Sequence, residues 1–371
     1  MNSKGNIKII ISGGGTGGHI FPAIAIAKAI QSIVPKAEFL FIGALHKMEM
    51  EKVPEAGFTI EGLWISGFQR NLSLQNLAFP FKLISSLWKA RRLIKRFKPD
   101  IAIGVGGFAS GPTLKMASSM GIPCLIQEQN SYPGITNKLL ANQVKKICVA
   151  YEGMEKYFPK EKIQYTGNPI RKQVIEIEGK KEEALSFFNL KTDKRTILIV
   201  GGSLGARSIN NAILKHLKEW GQIDVQIIWQ TGKTGIDAAT EALAQNAIPQ
   251  IKAYAFIKRM DLAYAAADLI ISRAGAIAIS EIAAVAKPVI FVPLPTAAED
   301  HQTMNAQQLV DKKAAIMVAD KIVNEKLLPM ANDLIRNETT LKEMANEIKK
   351  LGIKNADELI AKKALELIKW N

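Results

Sequence analysis

The sequence predicts an α/β protein with two doubly wound, parallel-sheet domains. Short runs of β-branched and other apolar residues alternate with segments of helical periodicity along the chain, which is typical of parallel strands covered by helices on both faces. A strand, a glycine-rich loop and a helix follow one another twice, at residues 7–30 and again at residues 196–220. At roughly 150 residues per domain, 371 residues accommodate two such units.

Strands are predicted where an apolar run is followed by a loop pattern. In the first half these runs are 7–11, 38–42, 101–105, 125–126 and 147–149, and in the second half 196–200, 225–230, 251–253, 269–272 and 289–292. Gly167, Pro169 and a mixed-charge segment indicate a division within residues 165–194. We expect an N-terminal domain at 1–164, a C-terminal domain at 165–345, and a helical tail at 346–371 that packs back on the N-terminal domain.

Composition restricts the partners and the compartment. Lys and Arg number 49 against 34 Asp and Glu, a net charge of +15, which favours an anionic partner such as nucleic acid, anionic lipid or a phosphorylated substrate. Two cysteines without a CxxC pair indicate a reducing cytosol. The longest uncharged run, 9–27, contains GGGTGGH and Pro22 and is a poor membrane span, and no signal peptide is recognised.

The first glycine loop is GGGTGGH, residues 13–19, between a predicted strand and a predicted helix. Glycines let backbone N–H groups approach an anion, and the helix N-terminus adds a favourable dipole. A nicotinamide site also needs an acid at the end of the second strand, where Ile42 and Gly43 stand instead, so a dehydrogenase is disfavoured. His19 is interpreted either as a helix-capping residue or as a group that touches a reacting sugar or its nucleophile.

Two further loops of the first half have both a structural and a functional interpretation. GVGGFASGP, residues 104–112, is either a tight packing loop or a second cradle for an anion. EQN, residues 128–130, follows a strand and is either a surface loop or part of the crevice where open α/β sheets bind ligands.

The second half offers three comparable loops. GGSLGAR, residues 201–207, suits either a tight turn or a phosphate. In SRAGAIAISE, residues 272–281, a helix start could face a diphosphate and Glu281 could accept both ribose hydroxyls, or act only as a structural acid. The polar run 293–306 could close over a sugar, although His301 fits a surface histidine equally well.

The sequence disfavours a metal site and a P-loop site for a nucleoside triphosphate. The four histidines form no HxH or HExxH pattern, and no Asp-x-Asp occurs. The single GKT, at residues 232–234, lacks the first P-loop glycine because Ile227 takes its place. We therefore predict no metal and no cofactor.

A basic and apolar segment lies at residues 79–98, with seven Lys and Arg and no acid. It predicts either a surface helix with its apolar stripe in the core, or a helix that rests on anionic lipid. For the second interpretation the membrane contacts are Phe81, Ile84, Trp88, Lys89 and Arg92. No nucleic-acid-binding signature accompanies the charge, so no nucleic-acid partner is predicted.

Taken in order, seven motifs resemble the MurG family of glycosyltransferases: GGGTGGHIFPAIAIA, GVGGFASGP, EQN, TGNPIR, GGSLGARSIN, SRAGAIAISEIAA and DHQTMNA. They cover roughly residues 7–310. The resemblance implies a GT-B fold, which is two Rossmann-like domains with a cleft between them. It also implies an inverting, metal-independent transfer of N-acetylglucosamine from UDP-N-acetylglucosamine to the C4 hydroxyl of lipid-linked N-acetylmuramic acid, converting lipid I to lipid II.

The resemblance also implies site residues, carried over by motif position. Donor contacts are expected from Thr16, Gly17, Gly18, Asn130, Arg171, Ser203, Ile257, Ala276, Ile277, Ala278, Ile279, Ser280, Glu281 and Gln302. Among them Asn130 and Gln302 would meet the sugar, Arg171 and Ser203 the diphosphate, Ile257 the uracil and Glu281 the ribose. The acceptor diphosphate is expected at Gly14, Gly15, Gly106 and Gly107. Phe108 stands where many relatives carry tyrosine, which weakens a hydroxyl function there.

The resemblance leaves the catalytic base open, and His19 and Glu128 are the candidates. It places the enzyme peripherally on the cytoplasmic face of the inner membrane, in peptidoglycan synthesis, cell shape and cell division, with cell-wall and division proteins as partners. Three alternatives remain at this point: a related transferase acting on another lipid such as diacylglycerol, a UDP-N-acetylglucosamine 2-epimerase, and a non-catalytic nucleotide- or nucleic-acid-binding protein.

Overall fold

The computed structural model describes residues 6–67, 78–202 and 204–370. The chain divides into two compact units, of which unit 1 comprises residues 1–170 and 355–371 and unit 2 comprises residues 171–354. Each unit is an α/β body in which apolar strands form a sheet and helices cover it. The predicted fold class is confirmed in both halves.

Unit 1 contains, among its described residues, a parallel sheet of seven strands in the order β3-β2-β1-β4-β5-β6-β7. Residues Ile9, Ile10 and Ile11 of β1, an interior strand, are fully buried, because both faces of this sheet carry helices. The strands are β1 Lys8–Ser12, β2 Glu38–Ala44, β3 Thr59–Leu63, β4 Ile101–Gly104, β5 Cys124–Glu128, β6 Lys146–Val149 and β7 Ile163–Tyr165.

The chain order of the strands reverses between β1 and β4, which lie side by side with Ile10 opposite Ala102. Ligands of open parallel sheets bind at the carboxyl ends of the strands at such a reversal. Both glycine loops of the first half follow these two strands. The first five helices of the chain surround the sheet: α1 Gly17–Ile33, α2 Glu49–Glu55, α3 Phe79–Phe97, α4 Ser110–Ser119 and α5 Ile135–Leu140.

Unit 2 repeats this design with six strands, in the order β10-β9-β8-β11-β12-β13. Its core contains the large buried side chains of Trp220, Trp229 and Phe291. The reversal falls between β8 and β11, which GGSLGAR and SRAGAIAISE follow. The strands are β8 Arg195–Val200, β9 Val225–Gln230, β10 Ile251–Tyr254, β11 Leu269–Ser272, β12 Val289–Phe291 and β13 Ile316–Met317.

Helices flank the sheet of unit 2, and short ones also lead into it. They are α6 Lys172–Ile175, α7 Lys181–Phe187, α8 Arg207–Lys215, α9 Leu217–Gln222, α10 Ile236–Gln245, α11 Met260–Ala266, α12 Ala276–Ala284, α13 His301–Val310, α14 Val323–Arg336 and α15 Glu338–Lys349.

The boundaries between the units differ from those expected from the sequence. Unit 2 begins at Arg171 rather than at residue 165, because the amides of Thr166 and Gly167 donate to the Val149 carbonyl and bind this segment to the sheet of unit 1. Unit 2 extends to Lys354, since α15 packs on α12. The last helix, α16 Ala356–Leu367, belongs to unit 1, where Ile360 and its neighbours join the core that α1 also lines.

Candidate active site

The imidazole of His19 is held at the point where the two glycine loops of unit 1 meet. Its Nδ1 lies 3.1 Å from the carbonyl oxygen of Gly14 and 3.2 Å from Thr16 Oγ1. Because a carbonyl oxygen can only accept a hydrogen bond, Nδ1 is assigned as the protonated nitrogen. The basic lone pair is then on Nε2, which is the arrangement that a general base requires.

Gly106, in the second loop, gives the imidazole its space. A Cβ atom on this residue would lie 2.9 Å from both Cδ2 and Nε2 of His19, and its φ of +87° disfavours any other residue. The motifs GGGTGGH and GVGGFASGP, which the sequence presents separately, therefore form one site. This contact explains why the second loop is too rich in glycine for a simple turn.

Glu128, the other candidate base, is buried and fully occupied by hydrogen bonds. Its carboxylate accepts from the backbone and side-chain nitrogens of Asn130 (2.9 and 3.2 Å), from the Gly134 amide (3.1 Å) and from Asn137 Nδ2 (2.8 Å). Burial raises the pKa of Glu128, and these donors oppose the rise. The geometry suits a carboxylate that fixes the loop carrying Asn130, and it favours His19 as the base.

Two residues that the sequence analysis did not single out complete this region. Gln127 donates to Asn168 Oδ1 at 2.9 Å, and Asn168 Nδ2 donates to the carbonyl of Gln129 at 3.0 Å. Gln129 in turn donates to the Val105 carbonyl at 2.9 Å. The TGNPIR and EQN motifs are thus bonded to each other and to the end of β4. The only sequence signal for this contact is that both motifs follow strands.

The amide of Gly15 is already engaged. It donates at 2.9 Å to the carboxylate of Glu49, a residue 1% exposed that the sequence analysis also missed. This weakens the assignment of Gly15 to the acceptor diphosphate, because the amide is used and the nearby carboxylate repels an anion. The N–H groups of the first turn of α1, at Gly17 and Gly18, lack intrahelical partners and are better placed to receive one.

Unit 2 contains a cavity of about 740 Å³ at the reversal of its strand order. Such a volume falls within the range of small-molecule sites. The N-terminal ends of α8 and α12 open onto it, and helix N-termini favour negative charge. Its lining includes Gly201, Gly202, Gly205, Arg207, Ser208, Gly275, Ala278 and Gln302.

Arg273 lines this cavity and forms hydrogen bonds with several of the segments around it. Its guanidinium donates to the carbonyls of Val292 and Pro293 (2.9 and 3.2 Å), to Asp320 (2.6 Å) and to Ser208 Oγ (2.8 Å). Gln302, predicted to meet the sugar, is anchored similarly, since its Oε1 accepts from the amides of Ala274 and Leu294 at 3.1 and 3.0 Å. Its amide nitrogen is then the group that can donate to a sugar hydroxyl.

Glu281 is buried next to Arg171 and Tyr264. Its Oε1 accepts from Nε and Nη2 of Arg171 at 3.1 and 3.0 Å, and its Oε2 accepts from the Tyr264 hydroxyl at 3.4 Å. Burial raises the pKa of Glu281, and Arg171 counteracts that rise by stabilising the charged form. Arg171 was predicted to contact a diphosphate, and the structure adds a direct contact with the predicted ribose carboxylate.

The remaining predicted donor residues are divided between the units. Thr16, Gly17, Gly18 and Asn130 belong to unit 1, and the others to unit 2. The amide of Ile257 donates to Gln230 Oε1 at 2.9 Å, so its carbonyl is the group that can accept from a base. Ser203 lies outside the described residues. The part of the chain described contains no cluster of three or more metal-ligating side chains, and independence of metal stays a prediction.

Helix α3 exposes the apolar residues predicted to touch a membrane. Phe81, Ile84 and Trp88 are 70%, 66% and 66% exposed, and their spacing places them on one face. Leu93 and Ile94 occupy the opposite side and are buried. The helix thus joins two features that the sequence analysis treated as alternatives, a buried stripe and an exposed apolar stripe. Trp64, half exposed beside Lys82, extends the exposed surface and was missed.

Basic side chains border this face. Lys89 donates to the Gly62 carbonyl at 2.7 Å, Arg96 pairs with Glu61 at 2.9 Å, and the Arg92 guanidinium lies 5.9 Å from the centroid of the Trp88 ring. Among the helices of the described residues, α3 included, none combines the length and apolar character needed to span a bilayer.

The two parallel sheets, with glycine loops at both strand reversals, have the architecture of the GT-B fold. Residues 9–149 match the glycosyltransferase family 28 N-terminal domain, and residues 196–360 match the family 28 C-terminal domain. The crystal structure of MurG from Acinetobacter baumannii superposes with a TM-score of 0.81 at 31% identity, over 97% of this chain and 99% of that one.

Two curated relatives that match over nearly their whole length have the same name. A protein of Bacteroides fragilis is 53% identical over 99% of both chains, and one of Christiangramia forsetii is 50% identical over 98% of this chain and 99% of its own. Both are named UDP-N-acetylglucosamine–N-acetylmuramyl-(pentapeptide) pyrophosphoryl-undecaprenol N-acetylglucosamine transferase. The chain belongs to glycosyltransferase family 28 and, within it, to the MurG family. A UDP-N-acetylglucosamine 2-epimerase from Neisseria meningitidis shares the fold alone, at 16% identity and a TM-score of 0.67.

Replacing Arg171 with leucine is expected to destabilise unit 2 at alkaline pH and much less at acidic pH. Because burial raises the pKa of Glu281, the folded chain holds this proton more tightly than the unfolded chain. The free energy of unfolding therefore falls as pH rises through the raised pKa, and loss of Arg171 deepens the fall. We expect a loss of about 1–3 kcal/mol at about pH 8, below the value for a fully buried pair because Arg171 is half exposed.

Urea unfolding at about pH 8 and about pH 5, followed by the fluorescence of the buried Trp220 and Trp229, measures this difference. The matched control is Lys181→Leu, which removes a more exposed ion pair with Asp268. An equal loss at both pH values for Arg171→Leu contradicts the assigned contact with the Glu281 charge.

Proposed function

We propose that this chain transfers N-acetylglucosamine from UDP-N-acetylglucosamine to the C4 hydroxyl of N-acetylmuramic acid in undecaprenyl-diphosphate-linked lipid I, which gives lipid II for peptidoglycan. The observation that carries the proposal is the similarity over the whole length, at 53% identity, to relatives named for this reaction. The two loop systems described above supply chemistry that suits the two substrates.

Unit 2 binds the donor in its cavity at the strand reversal. The diphosphate lies at the N-terminal ends of α8 and α12, with Ser203 and Arg171 as further donors. Glu281 accepts the ribose hydroxyls, and the Ile257 carbonyl accepts from uracil. The anchoring of Gln302 and the ionised state that Arg171 favours in Glu281 support these assignments. The run from Ala276 to Ser280 forms the helix start that contacts phosphate.

Unit 1 binds the acceptor and removes its proton. The acceptor diphosphate lies against Gly106, Gly107 and the first turn of α1, and His19 is the base. Gly17 and Gly18, which the resemblance assigns to the donor, are thus reassigned to the acceptor in this proposal. The hydrogen bond from His19 Nδ1 to the Gly14 carbonyl supports this choice, because it leaves the lone pair on Nε2. Glu128 positions the loop that carries Asn130, which contacts the N-acetyl sugar.

The reaction is a single in-line displacement. The C4 oxygen of the acceptor forms a bond to the anomeric carbon of the donor sugar while the bond from that carbon to the UDP oxygen breaks. The hydroxyl proton passes to His19 Nε2, and UDP leaves with the electron pair of the broken bond. Attack opposite the leaving group converts the α-linked donor into a β-linked product. Helix N-termini and Arg171 stabilise the departing negative charge in place of a metal ion.

Helix α3 holds the enzyme at the lipid that carries its acceptor. Exposed Phe81, Ile84 and Trp88 enter the headgroup region, and Lys89, Arg92 and neighbouring cations attract anionic lipid. The net charge of +15 favours the same surface. Our proposal therefore includes a peripheral location on the cytoplasmic face of the inner membrane, cell-wall synthesis and division proteins as partners, and a function in cell shape, division and the cell cycle.

The decisive test is transfer of radiolabelled N-acetylglucosamine from UDP-N-acetylglucosamine to lipid I, in detergent and with EDTA present. We expect label in a lipid-extractable product, because the negative charge is stabilised by protein groups. Loss of transfer on addition of EDTA contradicts metal independence. If the donor binds but no label moves, the acceptor is wrong, and diacylglycerol and the epimerase reaction are assayed next. A donor that fails to bind contradicts the assignment of the unit 2 cavity.

His19→Ala is expected to lower kcat about 10²–10⁴-fold, the usual contribution of a general base, with little change in donor affinity. Steady-state transfer kinetics and titration calorimetry with UDP-N-acetylglucosamine measure the two quantities. His216→Ala is the matched control, since that imidazole pairs with Glu219 on the surface of unit 2. Turnover near that of the unaltered enzyme would remove His19 from the mechanism.

The double variant Phe81→Glu and Trp88→Glu is expected to lower binding to anionic vesicles at least about tenfold, because it replaces inserted apolar groups with repelled charges. Co-sedimentation with phosphatidylglycerol vesicles measures binding. The control variant Phe187→Glu and Ile322→Glu makes the same change of charge at exposed apolar residues of unit 2. Equal binding by both variants would show that α3 is not the anchor.

A further inference from the structure

We infer that Glu49 is a positioning residue that acts on His19 through one backbone peptide group. The peptide between Gly14 and Gly15 is bonded at both of its ends. Its N–H, from Gly15, donates to Glu49 Oε2 at 2.9 Å, and its carbonyl, from Gly14, lies 3.1 Å from His19 Nδ1. A carboxylate, a peptide and an imidazole therefore form a continuous chain of hydrogen bonds.

The carboxylate of Glu49 is itself fixed in place. Its Oε1 accepts from the Ala44 amide at 2.9 Å, at the end of β2, and the residue is 1% exposed at the start of α2. The surrounding backbone is shaped around it, because a Cβ on Gly14 would lie 2.1 Å from Oε1 and a Cβ on Gly43 would lie 2.5 Å from Cγ. Two glycines of separate strand ends thus make space for one carboxylate.

This chain selects the tautomer of His19. In the observed orientation the Gly14 carbonyl faces Nδ1 and holds the proton there, so Nε2 keeps its lone pair. Rotation of the 14–15 peptide would present an N–H to Nδ1, which then accepts, and the imidazole proton would sit on Nε2. The carboxylate opposes that rotation because it needs the Gly15 N–H. A negative charge on one end of the peptide also polarises its carbonyl and strengthens the bond to Nδ1.

In many enzymes a carboxylate accepts a hydrogen bond from a histidine base and so orients it. Here Glu49 has the same effect on His19, but one peptide group lies between the carboxylate and the imidazole. Glu49 does not touch the substrate. Its contribution is to keep the base in the form that can take a proton from the acceptor hydroxyl. The inference rests on the proposed role of His19 and adds to it the residue that determines the state of that base.

The test is Glu49→Gln, which preserves side-chain volume but removes the charge and one of the two acceptor oxygens. Nitrogen–proton NMR correlation of the imidazole reports which nitrogen carries the proton, and the His19 signal is identified by its loss in His19→Ala among the four histidines. We expect the Nδ1–H form in the unaltered enzyme and a larger Nε2–H population in the variant. In the transfer assay kcat should fall about 10–100-fold, the size typical of such supporting contacts, with KM for both substrates unchanged.

Glu51→Gln on the same helix is the matched control, because that carboxylate is exposed and pairs with Lys52. Glu49→Ala, which removes both hydrogen bonds, should shift the tautomer further, and thermal unfolding shows whether each variant is folded. An unchanged tautomer in Glu49→Gln overturns this inference whatever the activity, and leaves the proposed function standing. A changed tautomer with unchanged kcat overturns the inference together with the role of His19 as base.

Discussion

The loop region around His19 in unit 1 depends on the orientation of a single peptide group, that between Gly14 and Gly15. It lies between the buried carboxylate of Glu49 and the imidazole of His19, and hydrogen bonds at both ends hold it. The second glycine loop contributes space rather than bonds, since a side chain on Gly106 would collide with that imidazole. Strands β1 and β4 are neighbours at the reversal of strand order, and this topology alone brings the two loops into contact.

The constraint in unit 2 is a different one, namely the burial of the Glu281 carboxylate away from water. Burying a charge costs several kcal/mol, which an Arg partner offsets only in part. The Glu281 carboxylate retains contacts with Arg171 and Tyr264, and this is the state in which a carboxylate can accept two hydroxyl donors. In the proposed function, this cost in stability is offset by recognition of the donor ribose.

The features predicted from the sequence are those that a local pattern encodes. The features missed are contacts between residues that are far apart along the chain. Strand–loop–helix periodicity located the glycine loops, because parallel strands place their carboxyl ends on one edge. Glu49 gave no such pattern, since its importance arises from contacts with the first glycine loop, which lies 34 residues earlier in the chain. Asn168 and Arg273 are comparable, because their partners lie in other loops. The division was expected at residue 165 rather than Arg171, since the bonds from Thr166 and Gly167 to Val149 cannot be read from composition.

The free energies of the individual contributions explain how the proposed reaction can proceed without a metal, with proton removal in unit 1 and stabilisation of the leaving group in unit 2. A general base worth about 10²–10⁴-fold corresponds to about 3–5 kcal/mol of barrier. Two helix N-termini facing a diphosphate contribute about 0.3–2 kcal/mol each, and charge-assisted donors add to them. Stabilisation of the leaving group in unit 2 is thus comparable in size to proton removal in unit 1. Neither sheet needs to supply the whole effect, and so each can keep ordinary side chains and backbone amides at its strand reversal.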